Sequence, residues 1–228
     1  MKILVNTKLI IIAFFLTIGF LSCKKDAQKL IDLSGLSIVN TSPSKENLDV
    51  FVDNTKVTVT DFSFGSKLDY LTAYSGRRVM TIKQKGSDKI LITEPFILEP
   101  QYGYSLFIID RFPMLKFKLL QDNLTKPPRG KASVRFANFS PDSDPLTLSV
   151  GGNPALITNI SFENYSDAVL VDFGDAVTFE IRDLKTGVLT LSLPGVRIEE
   201  GKIYTIYVKG LKSVNDETKL GVAIYTHK

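Results

Sequence analysis

One cysteine, one histidine and no tryptophan stand among 228 residues, and each scarcity removes a class of mechanism. With Cys23 alone, no disulfide closes within the chain, and a Cys/His zinc site is excluded by count. His227 sits next to the C-terminal residue and is expected on a frayed end, which leaves no central histidine base. Tryptophan, the strongest residue for stacking on sugar rings, is missing. Charge of one sign is not in excess either. The net charge is +4, and Lys2 and Lys8 lie in the leader, so the chain beyond it carries 26 basic against 24 acidic residues. These charges are interspersed, whereas nucleic acid needs a concentrated basic face, so no nucleic-acid partner is expected. No stretch shows helical periodicity over 11 or more residues.

What the chain does have begins with its leader. Lys2 and Lys8 precede an uncharged run from Leu9 to Leu21. At 13 residues this run is shorter than the roughly 20 that a membrane span needs, and it suits the apolar region of an export signal. It ends in Phe20-Leu21-Ser22-Cys23, followed by Lys24-Lys25-Asp26. A small residue before a cysteine at this place resembles the lipobox of bacterial lipoproteins, although Phe20 stands where leucine is usual. The resemblance implies cleavage between Ser22 and Cys23, a thioether-linked diacylglyceryl on Cys23 and acylation of the new N-terminus, typically with palmitate. Two or more acyl chains anchor stably where one does not. A lipid-anchored protein of the bacterial outer membrane follows, with residues 1–22 as signal peptide and 23–35 as a polar, lipidated tether of about 20 Å reach as a coil.

Beyond the tether the chain repeats itself. Asn40-Thr41-Ser42-Pro43 and Asn138-Phe139-Ser140-Pro141 lie 98 positions apart. The same offset pairs Leu48 with Leu146, Val50 with Leu148, Val52 with Val150, Phe64 with Phe162, Gly76 with Gly174 and Val79 with Val177. Further on, an offset of 100 pairs Glu99 with Glu199, Tyr104 with Tyr204, Leu106 with Ile206 and Ile108 with Val208. A fixed period of this kind is the mark of a duplicated unit. Short alternating segments separated by turns every 8 to 12 residues, about eight per unit, predict two tandem Ig-like antiparallel β-sandwich domains, an all-β fold. The boundaries fall at 36–120 for the first repeat, 121–131 for a linker stiffened by Pro127-Pro128, and 132–228 for the second. Lys56 to Thr60 is expected to complete a hairpin, Pro95 to mark an edge strand or a bulge, and Tyr104 to Ile109 to be buried on both faces. Phe64 and Phe162 are expected to plug the cores of separate halves.

The order strand, Asn-x-Ser-Pro, alternating strand, Phe, Gly and late Tyr strand resembles the bacterial domain of unknown function 4397. The segment from Leu119-Leu120-Gln121-Asp122-Asn123-Leu124 to Gly130-Lys131-Ala132-Ser133-Val134-Arg135-Phe136 resembles the inter-repeat segment of its Bacteroidota lipoprotein members. The similarity spans about residues 36–228. It implies an architecture and an envelope location and no particular reaction.

Several clusters invite a chemical reading. Asp142-Ser143-Asp144 offers oxygens to Ca²⁺, but a plain β-turn wants the same residues and the first repeat has Ser44-Lys45-Glu46 there. Carboxylates are plentiful, yet no spacing singles out a glycosidase pair. Gly151-Gly152 is followed by neither a helix nor Lys-Ser/Thr, so it is no phosphate loop. No catalytic residue, metal ligand or cofactor is therefore assigned. Tyr70, Tyr74 and Tyr102 are the candidates for stacking on a glycan. The expected function is a non-enzymatic binding or adhesion module, with a glycan or envelope protein as partner. The alternatives are a structural or accessory subunit of an envelope complex and, less favoured, a hydrolase.

Overall fold

The computed structural model describes residues 32–227. Cys23 and the leader lie outside the described residues. The described chain holds sixteen strands and no helix. In the first repeat these are β1 (Leu33–Asn40), β2 (Leu48–Val52), β3 (Thr55–Lys56), β4 (Lys67–Tyr74), β5 (Gly76–Gln84), β6 (Ile90–Leu98), β7 (Gly103–Ile109) and β8 (Lys116–Asp122). The second holds β9 (Lys131–Asn138), β10 (Leu146–Val150), β11 (Ala155–Ile160), β12 (Val169–Asp172), β13 (Gly174–Asp183), β14 (Leu189–Ile198), β15 (Ile203–Lys209) and β16 (Gly221–Thr226). The segment between β8 and β9 is 123–130, and β1 begins three residues before the expected Leu36.

Each repeat is a sandwich of two four-stranded sheets with identical order. The first repeat has β3-β2-β5-β6 and β4-β1-β7-β8; the second has β11-β10-β13-β14 and β12-β9-β15-β16. In both, the first strand runs parallel to the seventh: β1 with β7, and β9 with β15. Pro95 lies on β6, an edge strand as expected. The expected continuation of the first hairpin is not built. β3 stops at Lys56, and Val59 is 92% exposed.

The Asn-x-Ser-Pro turn is the same device twice. Asn40 and Asn138 are fully buried. Each side-chain oxygen accepts the N–H two residues on, from Ser42 and Ser140, at 3.1 Å. Each amide nitrogen donates to a carbonyl further along its repeat, Phe62 O in the loop before β4 and Ile160 O at the end of β11. Asparagine is suited to this because its short side chain replaces a backbone partner in a turn. A second repeated device is a tyrosine hydroxyl: Tyr104 accepts the N–H of Glu99 at 3.0 Å, and Tyr204 that of Glu199 at 2.9 Å.

Each sandwich has its own core. The first centres on Leu36, Ile38, Val50, Ile82 and Leu106, and the second on Val134, Phe136, Leu148, Phe179 and Ile206. A third core joins them. Val39, Phe107, Ile109 and Leu120 of the first repeat pack against Ala137, Phe139 and Tyr207 of the second. The Phe107 and Phe139 rings lie 4.4 Å apart, centroid to centroid. The sheet of β1 and β7 therefore faces the sheet of β9 and β15, and the four sheets stack as layers. This is why β7 is buried at every residue, as its apolar run predicted.

The core plug falls two residues earlier than expected. Phe62 is buried in the first core and Ile160 in the second. A turn at Phe64-Gly65, closed by Ser66 N–H to Ser63 O at 3.0 Å, breaks the strand alternation and swings Phe64 out. Its ring lies 3.8 Å below Lys209 Nζ, whose pKa burial lowers. Phe162 packs instead beside the third core, with Lys116 Nζ 5.8 Å from its ring.

Candidate functional site

The layers β1–β7 and β9–β15 meet through apolar side chains over most of their length and through polar ones at the linker end. Asp122, the last residue of β8, is the centre. Its Oδ1 accepts Arg135 Nη2 at 2.7 Å, and its Oδ2 accepts Tyr70 OH at 2.5 Å and Ser105 Oγ at 2.8 Å. The Asp122 and Arg135 side chains are 1% and 9% exposed, so this ion pair is dry. Arg135 also reaches Thr205 Oγ1 and Gln121 O. Tyr225 OH donates to Ser105 Oγ at 2.7 Å.

His227 is not on a frayed end. Its N–H donates to Ile203 O at 2.8 Å, one step beyond the β15–β16 ladder, and the ring is drawn between the sheets. Nδ1 lies 2.7 Å from Tyr70 OH and Nε2 lies 2.8 Å from Thr205 Oγ1. One neutral tautomer satisfies every partner. Nδ1–H donates to Tyr70, whose hydroxyl donates to Asp122, while Thr205 donates to Nε2. Burial depresses the imidazole pKa to about 4, Asp122 opposing and Arg135 and Lys67 adding to the effect. Burial and the Asp122 charge push the Tyr70 hydroxyl well above its ordinary range.

Over this network lies a chain of shallow clefts. One, of about 530 Å³, is lined by Gln101, Tyr102, Gly103, Gln121, Asn123 and Leu124 among others. It shares Tyr102, Gly103 and Leu124 with a neighbouring hollow that Tyr70 and Thr72 also line. It shares Gln121, Asp122 and Asn123 with a third, of about 270 Å³, bordered by Tyr165 and Arg135. Glycine shapes the floor. Gly35 and Gly103 are paired in the β1–β7 register. A Cβ on Gly35 would come within 3.0 Å of the Tyr70 ring, and one on Gly103 within 2.9 Å of Leu124.

The three tyrosines singled out in the sequence part company here. Tyr70 and Tyr102 share one hollow, but Tyr70 commits its hydroxyl to the network while Tyr102 is 46% exposed at the rim. Tyr74, 69% exposed at the end of β4, lines none of these clefts. Sequence reasoning missed Asp122, Arg135, Tyr165 and His227. The available signal was Ser105, a single polar residue within a strand otherwise fit for burial on both faces, with Thr205 at the repeat-equivalent place. Asp142 is likewise occupied, accepting the backbone N–H groups of Lys212 and Ser213.

Over residues 34–149 the sequence matches the domain of unknown function 4397, and the chain belongs to that family. No match is found among curated proteins. Similar solved structures include a family 26 carbohydrate-binding module from Eubacterium rectale in complex with maltoheptaose, at 12% identity over 84% of this chain and 96% of that one, with a TM-score of 0.29. Another is an α-glucan-binding streptococcal virulence factor, at 14% identity over 85% and 97%, with a TM-score of 0.27. At these TM-scores the likeness says nothing about the ligand of this chain.

Proposed function

We propose that the protein is a non-enzymatic binding module of the bacterial cell envelope, anchored in the outer membrane through a lipid on Cys23, and that it holds a glycan in the linker-end clefts. The observation that supports the ligand class is the lining: an exposed tyrosine, Tyr102, beside the amides Gln101, Gln121 and Asn123, in a broad concave surface. Tyrosine supplies a flat apolar face for a sugar ring, and amides both donate to and accept from its hydroxyls. The Asp122–Arg135 pair beneath has every strong partner inside the protein, so its work is to hold the cleft walls together.

Two measurements test this reading. Cys23→Ser is expected to abolish palmitate labelling and shift the protein from the membrane to the soluble fraction; unchanged labelling refutes the anchor. On a glycan array, Tyr102→Ala is expected to weaken every ligand of the parent by roughly tenfold, the scale of one aromatic contact, while Tyr74→Ala binds like the parent. Equal losses in both variants, or an array blank for the parent, would reject the cleft.

A further inference from the structure

The two repeats build the same turn and then treat it differently. In the second, Asp142 accepts the N–H of Lys212 at 2.7 Å and of Ser213 at 3.0 Å, and Lys212 Nζ reaches Asp144 at 2.7 Å. This latch ties the loop after β15 onto the loop before β10. Beneath it, Ser140 Oγ donates to Asp142 at 3.3 Å.

The first repeat has no means to close the latch. Ser44 takes the place of Asp142, Phe112 that of Lys212, and Pro113, which has no N–H, that of Ser213. The site stays open as a cavity of about 300 Å³ bounded by Ser42, Leu48, Leu91, Phe112, Leu115 and Lys89. The corresponding depression in the second repeat, lined by Asp144, Asp183, Leu189 and Lys212, reaches neither Ser140 nor Leu146.

Two polar groups give the open cavity its chemistry. Ser42 is fully buried, and its Oγ has no hydrogen-bond partner, unlike Ser140. A buried hydroxyl left unpaired is unfavourable, and a ligand group that meets it recovers the loss. At the rim Lys89 Nζ stands 5.0 Å from the Phe112 ring centroid and enters no ion pair among the described residues. The other charges of the lining are engaged: Lys45 with Asp216 and Glu217, and Glu46 with Gln84. Lys89 is thus the cation left for an incoming anion.

We propose that this cavity of the first repeat binds a small hydroxyaryl carboxylate. The ring lies among Leu48, Leu91, Leu115 and Phe112, the carboxylate meets Lys89 at the rim, and the hydroxyl meets Ser42 at the floor. The site is separate from the linker-end clefts and independent of the glycan reading.

The test is amide-shift NMR on the leader-free chain, which keeps the sixteen strands and three cores of the described residues. Titration with 4-hydroxyphenylacetate is expected to give saturable shifts confined to the surroundings of Ser42, Leu91 and Phe112. Phenylacetate, without the hydroxyl, is expected to bind about tenfold more weakly, and Ser42→Ala to erase that difference. Lys89 is exposed, so Lys89→Gln keeps the fold; it is expected to weaken the acid about fivefold and leave the neutral 2-(4-hydroxyphenyl)ethanol unchanged. The proposal is overturned by the lack of saturable shifts up to about 10 mM, a ceiling suited to so small a ligand. It is also overturned if Lys89→Gln affects acid and alcohol alike.

Discussion

Replacing Asp122 by alanine is expected to lower stability by about 3 to 5 kcal/mol and to lower it for both repeats at once. The side chain is 1% exposed and takes three hydrogen bonds, one of them from Arg135 across the repeat boundary. Without it the guanidinium is left buried with hydrogen bonds to Thr205 and the Gln121 carbonyl and the face of the Tyr165 ring but no counter-charge, and an unpaired buried charge is the costly outcome. The pair need not be stabilising in itself, because desolvating both charges offsets their attraction. Asp122→Leu combined with Arg135→Met should therefore recover part of the loss, because no buried charge is left unpaired, while the Tyr70 and Ser105 hydroxyls still lose their acceptor. Urea unfolding followed by fluorescence and circular dichroism measures both. The two probes should coincide in one transition, because the third core ties the repeats together. A change under about 1 kcal/mol for Asp122→Ala, the range of exposed pairs, would mean the layers β1–β7 and β9–β15 part in solution.

That coupling is the part of the fold the sequence concealed. The duplication was legible because each position that builds a turn or a core occurs twice: Asn40 and Asn138, Tyr104 and Tyr204, Leu48 and Leu146. Burial of β7 on both faces was legible from a run that is apolar except at Ser105. The identity of what covers its outer face was not, since Val39 and Phe107 carry no mark of facing Ala137 and Phe139 rather than a second sheet of their own repeat. Alternation also has no sense of where a strand ends. It puts Phe62 and Phe64 on one face, and only the turn at Gly65 separates the core residue from the one outside. The polar network was hidden for a different reason. Lys131, Ser133 and Arg135 alternate with Ala132, Val134 and Phe136 and so read as a solvated strand face, while Ser37, Ser105 and Thr205 are single polar residues between apolar neighbours. Here the opposing layer dries that face, and the side chains satisfy one another. The candidate cleft was partly legible through Tyr102 and Tyr70; its amide partners Gln121 and Asn123 stood in the stretch read as linker.

Acidification from pH 7 to pH 4 is expected to remove about 3 kcal/mol of stability through His227 alone. The imidazole is held neutral in the folded protein because burial depresses its pKa to about 4, with Asp122 too weak an opponent to restore it while Arg135 and Lys67 stand nearby. Unfolded, it titrates near its ordinary value of about 6.5. Between these two values the unfolded chain binds a proton that the folded chain does not, so stability is complete above about pH 6.5 and falls as pH drops toward 4. Protonation also breaks the one tautomer that satisfies the network, because Nε2–H then faces Thr205 Oγ1, which already receives Arg135. The carboxylates held low by their partners act in a different window. Burial opposes the lowering of Asp49, which Lys56 and the Gly86 amide outweigh; Asp183 is lowered first by the backbone of Thr186, and Asp216 is held at about 2 chiefly by Thr218. These contributions persist down to about pH 4 and are lost only below it. Urea unfolding at half-unit steps from pH 7 to pH 3 separates the two. His227→Gln should be less stable than the parent at pH 7 and flat from pH 6.5 to pH 4, with the acid limb below pH 4 intact. A parent profile already flat between pH 6.5 and pH 4, or a His227→Gln profile that still slopes there, would place the imidazole in water.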